Sequence, residues 1–162
     1  MNEFNPNRKE YDPRMHSAEH ILNQTMIRMF NCGRTINAHI EAKKSRIDFR
    51  LQQCPSAEQI AEIEKRVNSI IQADLPISEH FLTRDEAANI VSLARLPDDA
   101  GNTIRVVKVG DYDACPCSGP HVKSSKEVGT FKIASTDFQD GVFRIRFKLI
   151  DQAVESRPAQ NS

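Results

Sequence analysis

Apolar residues along the chain recur with two periods, one of three to four residues and one of two. Over residues 17–30 the positions Ala18, Ile21, Leu22, Met26 and Met29 follow three- and four-residue steps, which predicts an amphipathic helix. A second helix is predicted from Ser56, which forms an S-x-x-Q capping box with Gln59 and precedes an apolar face of Ile60, Ile63, Val67, Ile70 and Ile71. Thr83 with Glu86 opens a third, shorter helix that carries Ala87, Ile90 and Val91. The shorter period marks strands. Ile47, Phe49 and Leu51 alternate with Asp48 and Arg50, and residues 104–109 form a β-branched run closed by Gly110. Phe143, Ile145, Phe147 and Leu149 point one way while Arg144, Arg146 and Lys148 point the other. Helices first and strands later predict an α+β fold, a mostly antiparallel sheet covered on one face by helices.

A chain of 162 residues is one domain by size, at roughly 100–200 residues per domain. Residues 1–13 and 151–162 read as tails around a core region of 14–150, with no repeat or Gly/Ser-rich linker to divide it. No stretch approaches the roughly 18–20 consecutive apolar residues of a spanning helix, so no membrane partner is expected. Lys plus Arg equals Asp plus Glu at 22 each, so a polyanion must be held by a local basic patch, and a histone-like DNA binder is excluded. The polar, proline-punctuated start MNEFNPNRKEYDP has no charged-then-apolar leader, and a reducing cytosol is expected for Cys32, Cys54, Cys115 and Cys117. There, cysteines as close as Cys115 and Cys117 read as metal-binding or catalytic before they read as a disulfide.

The candidate chemistry is a set of four donors. His16 and His20 are four apart on the first helix, about 40° apart around its axis, and lie off the core stripe. Cys117 and His121 bracket Ser118, Gly119 and Pro120, a turn-forming spacer that folds thiolate and imidazole toward one point. Three imidazoles and a soft sulfur select zinc among the abundant divalent ions. Cys115, two residues earlier in an extended segment, faces the same side as Cys117 and is the alternative ligand. His39 and His80 are read as ordinary hydrogen-bonded residues.

HSAEH (16–20) and CSGPHV (117–122) resemble the paired HxxxH and CxxxH motifs of the editing domain shared by alanyl- and threonyl-tRNA synthetases and by freestanding AlaX-like proteins. IEKRVNSII (63–71), IRVVKVGDY (104–112) and EVGTFKI (127–133) extend the likeness, Gly129 matching a small turn before a strand. The resemblance covers most of residues 14–150 and implies a two-layer sandwich that edits without charging. It departs from the alanyl pattern in three places. CSGPH is nearer the threonyl form than CGGTH, the acidic position two before the cysteine is Cys115, leaving Asp113 to supply any carboxylate, and Thr35, Ile36, Asn37 and Ala38 replace a Q-x-G-S segment.

The function implied is a freestanding, zinc-dependent aminoacyl-tRNA deacylase. Its substrate is a mischarged acceptor end, seryl-tRNA for alanine, glycyl-tRNA for alanine or seryl-tRNA for threonine. A pocket for a small amino acid rejects a near neighbour by only about 10–200-fold, so a second hydrolytic site is needed. His16, His20, Cys117 and His121 are the candidate catalytic and metal residues. Ser17, Ser118 and Gly119 adjoin them as candidate substrate contacts. Two basic clusters, Lys43, Lys44 and Arg46, and Arg144, Arg146 and Lys148, are candidates for the acceptor-stem phosphates. The alternative is a noncatalytic tRNA-binding module in which a four-ligand zinc only staples helix to sheet.

Overall fold

The computed structural model describes residues 12–90 and 103–150. The predicted tails, apart from residues 12 and 13, lie outside the described residues, as does Val91. The first helix, α1 (Pro13–Phe30), begins a turn before the apolar period does. Asp12 caps it by accepting from the backbone N–H groups of Arg14 and Met15, and Pro13 occupies the first turn, where no backbone donor is needed. Helices α2 (Ala57–Gln72) and α3 (Arg84–Ala88) both start on the capping boxes read from sequence, with each reciprocal bond formed.

Seven strands are described: β1 (Asn37–His39), β2 (Ser45–Arg50), β3 (Ile77–Thr83), β4 (Thr103–Val109), β5 (Asp113–Pro116), β6 (Thr130–Gln139) and β7 (Val142–Ile150). All pair antiparallel, in two sheets ordered β1-β2-β7-β6 and β3-β4-β5. The α+β class is as predicted, but the strands divide between two sheets. A period-two pattern identifies a strand without naming its partner, so the division is invisible in sequence. β3 escapes pattern reading because it is an edge strand with most residues exposed, Phe81 among them. β6 escapes it because an irregularity between Ile133 and Ser135 breaks its alternation. Among the described residues, no helix is long and apolar enough to cross a membrane.

The main core lies between the four-stranded sheet and α1 and α2. Ile47 and Phe49 of β2, Phe131 of β6, and Phe143, Ile145 and Phe147 of β7 meet Ile21, Leu22 and Met26 of α1 and Ile63, Val67 and Ile71 of α2, all fully buried. Each such side chain contributes about 1.5–3 kcal/mol on burial. A smaller cluster of Ala87, Ile104 and Val106 seats α3 on the second sheet.

The open edge of β6 is closed by α2. Asn68 donates through Nδ2 to Phe131 O (2.9 Å) and accepts at Oδ1 from Phe131 N (2.8 Å), while Glu64 accepts from Ile133 N (2.8 Å). This satisfies backbone groups that no strand reaches. Asn68→Leu keeps the volume and removes both partners of Phe131. We expect it to cost about 1–3 kcal/mol, seen as a lower urea midpoint at unchanged slope. At the start of β6, Gly129 takes φ +96°, and a Cβ there would stand 2.6 Å from Ile150 O, so the small turn read before this strand needs glycine.

Candidate metal centre

Helix α1 is buried on two sides. Ala18, Ile21, Leu22 and Met26 face the sheet core, while a polar side is covered by the segment that follows β4. Polar contacts hold this second seam. Thr25 Oγ1 meets the Tyr112 hydroxyl at 2.6 Å, Gln24 Nε2 donates to Asp113 at 2.9 Å, and Arg28 stacks on the Tyr112 ring with its guanidinium carbon 4.4 Å from the centroid. The histidines lie on this side of the helix, which explains how residues off the core stripe become almost completely enclosed.

The seam brings the two ends of the motif together. One donor atom each from His16, His20, Cys117 and His121 lies within 4.8 Å of every other. The His16 and His121 rings stack at 4.1 Å, and His20 stands edge-on to both, at 5.0 and 4.4 Å. His121 Nε2 is 3.2 Å from Cys117 Sγ. The outer ring nitrogens face oxygen. His16 Nδ1 donates to Pro120 O at 3.0 Å, His121 Nδ1 is 2.9 Å from Ser17 Oγ, and His20 Nδ1 is 3.6 Å from Asp113 Oδ2. Outer nitrogens directed at oxygen leave each Nε2 to the centre, the arrangement of a metal-ligating histidine. Of the two cysteines, Cys117 joins the cluster, whereas Cys115 Sγ turns to Pro116 O at 3.4 Å.

Electrostatics match the geometry. Burial pushes the Cys117 thiol up, but hydrogen bonding from His121, His16 and His20 outweighs it and brings the group down to about 2, so sulfur is held as the thiolate that binds metals. Burial lowers His121 to about 4 despite the thiolate beside it, so that ring is neutral and ready to bind. Burial opposes the charged form of His20, yet Asp113, Cys117 and Glu19 raise it well above the usual imidazole value. His20 would give up that proton on becoming a metal ligand. Three imidazoles and one thiolate with oxygen partners behind them fit a zinc-type ion.

The loop owes its shape to Gly119 and Arg105. A Cβ on Gly119 would lie 2.5 Å from His16 Cε1, so only glycine lets the ring sit there. Arg105 Nη1 donates to Cys117 O (3.0 Å) and Gly119 O (2.9 Å) and lies 3.7 Å from Cys117 Sγ, while its Nε is fixed by Glu79 at 2.7 Å. Ser17 accepts from Val122 N at 3.2 Å and braces His121, and Ser118 is exposed at the loop surface.

Sequence reasoning assigned no role to Arg105, nor to Glu19, whose Oε1 lies 3.9 Å from Nε2 of both His16 and His20. The signal for Glu19 was its place between the two histidines; for Arg105 there was none, since its partners lie on other elements. His39 and His80 are exposed, bonded to Glu41 and Ser78.

The two basic clusters meet on the outer face of the four-stranded sheet, where Arg46 stands opposite Arg146. Arg144 grips Asp48 through two bonds of 2.8 and 3.0 Å, and Arg146 pairs with Asp137 at 2.7 Å. Lys43, Lys44 and Lys148 are exposed.

Residues 104–146 match the family described as the threonyl and alanyl tRNA synthetase second additional domain. The chain is similar to the alanine–tRNA ligase of Idiomarina loihiensis, 32% identical over 162 residues that are 99% of this chain and 19% of that protein. It is 35% identical to the alanine–tRNA ligase of Caldicellulosiruptor saccharolyticus, over 80% of this chain and 15% of that protein. With the alanine–tRNA ligase of Pyrobaculum aerophilum it shares 35% identity, over 83% of this chain and 16% of the relative. The chain thus spans less than a fifth of these relatives' length. The matched stretch holds the Cys117–His121 half of the centre, and the longer similarities, with the four-donor cluster and the two-layer architecture, show that this chain belongs to the editing-domain family of the alanyl- and threonyl-tRNA synthetases.

Proposed function

We propose that this chain is a zinc-dependent aminoacyl-tRNA deacylase acting in trans on mischarged tRNA in the cytoplasm, with seryl-tRNA for alanine as first substrate. Glycyl-tRNA for alanine and seryl-tRNA for threonine are the other candidates. The observation that carries the reading is the convergence of His16 and His20 with Cys117 and His121 in a chain of this family.

His16, His20, Cys117 and His121 would hold the ion, which supplies Lewis-acid polarisation beside the ester when bound. The chain's own residues set the rest. Arg105 and Gly119 fix the loop that carries Cys117, and Ser17 fixes the His121 ring, so the donors need no reorganisation on substrate entry. Ser118, exposed beside Cys117, offers a hydroxyl to the aminoacyl group, and the backbone at Gly119 lies next to it. The tRNA acceptor end is steered by the outer sheet face, where Arg46, Arg146 and Lys148 gather, with Arg144 and the loop residues Lys43 and Lys44 adding charge.

The test is incubation of the zinc-loaded chain with the three mischarged tRNAs, with and without chelator. Selective, chelator-sensitive release of the amino acid is expected. A folded, zinc-loaded chain that releases none of them would overturn the reading. Equal rates on a minimal aminoacyl ester and on tRNA would remove the RNA from it.

A further inference from the structure

Asp113 heads β5, four residues before Cys117, and its side chain is completely enclosed. A carboxylate there needs partners to offset its desolvation. Arg34 donates from Nη1 to Oδ1 at 2.8 Å and from Nη2 to Oδ2 at 3.2 Å, a planar two-point grip that fixes the plane of the carboxylate. Gln24 adds a third bond to Oδ1 at 2.9 Å. The remaining direction of Oδ2 points to His20, whose Nδ1 is 3.6 Å away, just outside hydrogen-bond range. That Nδ1 is buried and has no hydrogen-bond partner. His16 and His121 already have their outer nitrogens engaged, by Pro120 O and by Ser17. His20 is the one ring of the three whose outer nitrogen is left to a charged group.

We infer that Asp113, clamped by Arg34 and Gln24, is a positioning residue for the metal centre: with an ion held by the cluster, its Oδ2 would accept the Nδ1–H of His20, fixing that tautomer and leaving Nε2 as the ligand atom. The inference rests on the metal-binding reading above. Its physical basis is that a ligating imidazole gains basicity and a single orientation when its other N–H is held by a carboxylate. The clamp matters because an unanchored Asp113 would follow the ring instead of directing it. Gln24 lies one turn after His20 on α1 and Arg34 lies in the chain just after that helix, so the geometry of His20 is tied to the same helix that carries it.

The experiment has two arms. In the first, the wild-type chain is loaded with cadmium and its histidine nitrogens are followed by 15N NMR. His20 is expected to bind through Nε2 with Nδ1 protonated; binding through Nδ1 overturns the inference. In the second, zinc affinity is measured by competition with a chromophoric chelator for wild type, Asp113→Asn and the paired variant D113N/R34Q. The paired variant removes both charges together and leaves no unpaired buried ion, so it keeps the arm usable if D113N alone fails to fold. A loss of about 10–100-fold in zinc affinity is expected for either variant, and affinity within about twofold of wild type overturns the inference. Absence of zinc or cadmium uptake by the wild-type chain removes the metal reading itself. Uptake through the four ligands with no effect of D113N removes only the role of Asp113.

Discussion

Cys117→Ala is expected to abolish deacylation by the zinc-loaded chain, lowering the rate at least about 10²–10³-fold, with tRNA affinity retained within a few-fold by filter binding. The magnitude follows from removing the only sulfur donor of the cluster and the thiolate that three imidazoles are arranged around. The tRNA term is expected to survive because the basic residues lie on a different sheet face from the core that seats α1. His80→Ala, at an exposed ring on β3 that bonds to Ser78 and belongs to neither the donor cluster nor the basic sheet face, is the matched control and should leave both quantities unchanged. The same variant separates catalysis from a stapling role. If zinc served only to pin α1, Cys117→Ala would unfold the domain. We expect it to stay folded by circular dichroism, because Ile21, Leu22 and Met26 hold α1 in the core independently of the donors.

Arg34→Leu is expected to destabilise the chain by about 3–5 kcal/mol at neutral pH, since it strips the counter-charge from a buried carboxylate. The pH dependence tests the cause. Burial alone would raise Asp113, but His20 and Arg34 hold it well below the ordinary carboxylate range. A group depressed in the folded state contributes stability that is fully present above its unfolded value, about 3.9, and is lost as pH falls toward the folded value. Without Arg34 the share of that depression supplied by its charge and hydrogen bonds is relieved, while the share from His20 remains. The gap between wild type and variant, read by urea denaturation, should therefore be widest near neutrality and shrink as pH falls below about 4. A gap that does not change with pH would assign the loss to packing instead of charge.

Much of the fold was legible because its determinants are local. Both capping boxes, at Ser56 and Thr83, are complete within four residues, and the structure forms both. The alternation from Phe143 to Leu149 needs only a pleat to be read, and Phe143, Ile145 and Phe147 are indeed buried. The early start of α1 was also legible in principle, from Asp12 and Pro13, but those residues carry a capping signal and no hydrophobic one. β1 and β3 were not legible: the first is three residues long and the second mostly exposed, so neither has a core face to leave a pattern.

The chain's own residues determined the chemistry of the site: the donor types, the four-residue spacing on a helix and the Ser-Gly-Pro turn limit which ion they can take and which pairs can share it. Tertiary structure alone decided that Cys117 and not Cys115 joins them, that Gly119 must leave room for His16, and that Asp113, Arg34 and Arg105 stand behind the donors. The reason is range. Ligand identity and local spacing are carried by neighbouring residues, whereas burial, ring orientation and the charge around a thiolate arise from contacts between segments about a hundred positions apart, which no local pattern encodes.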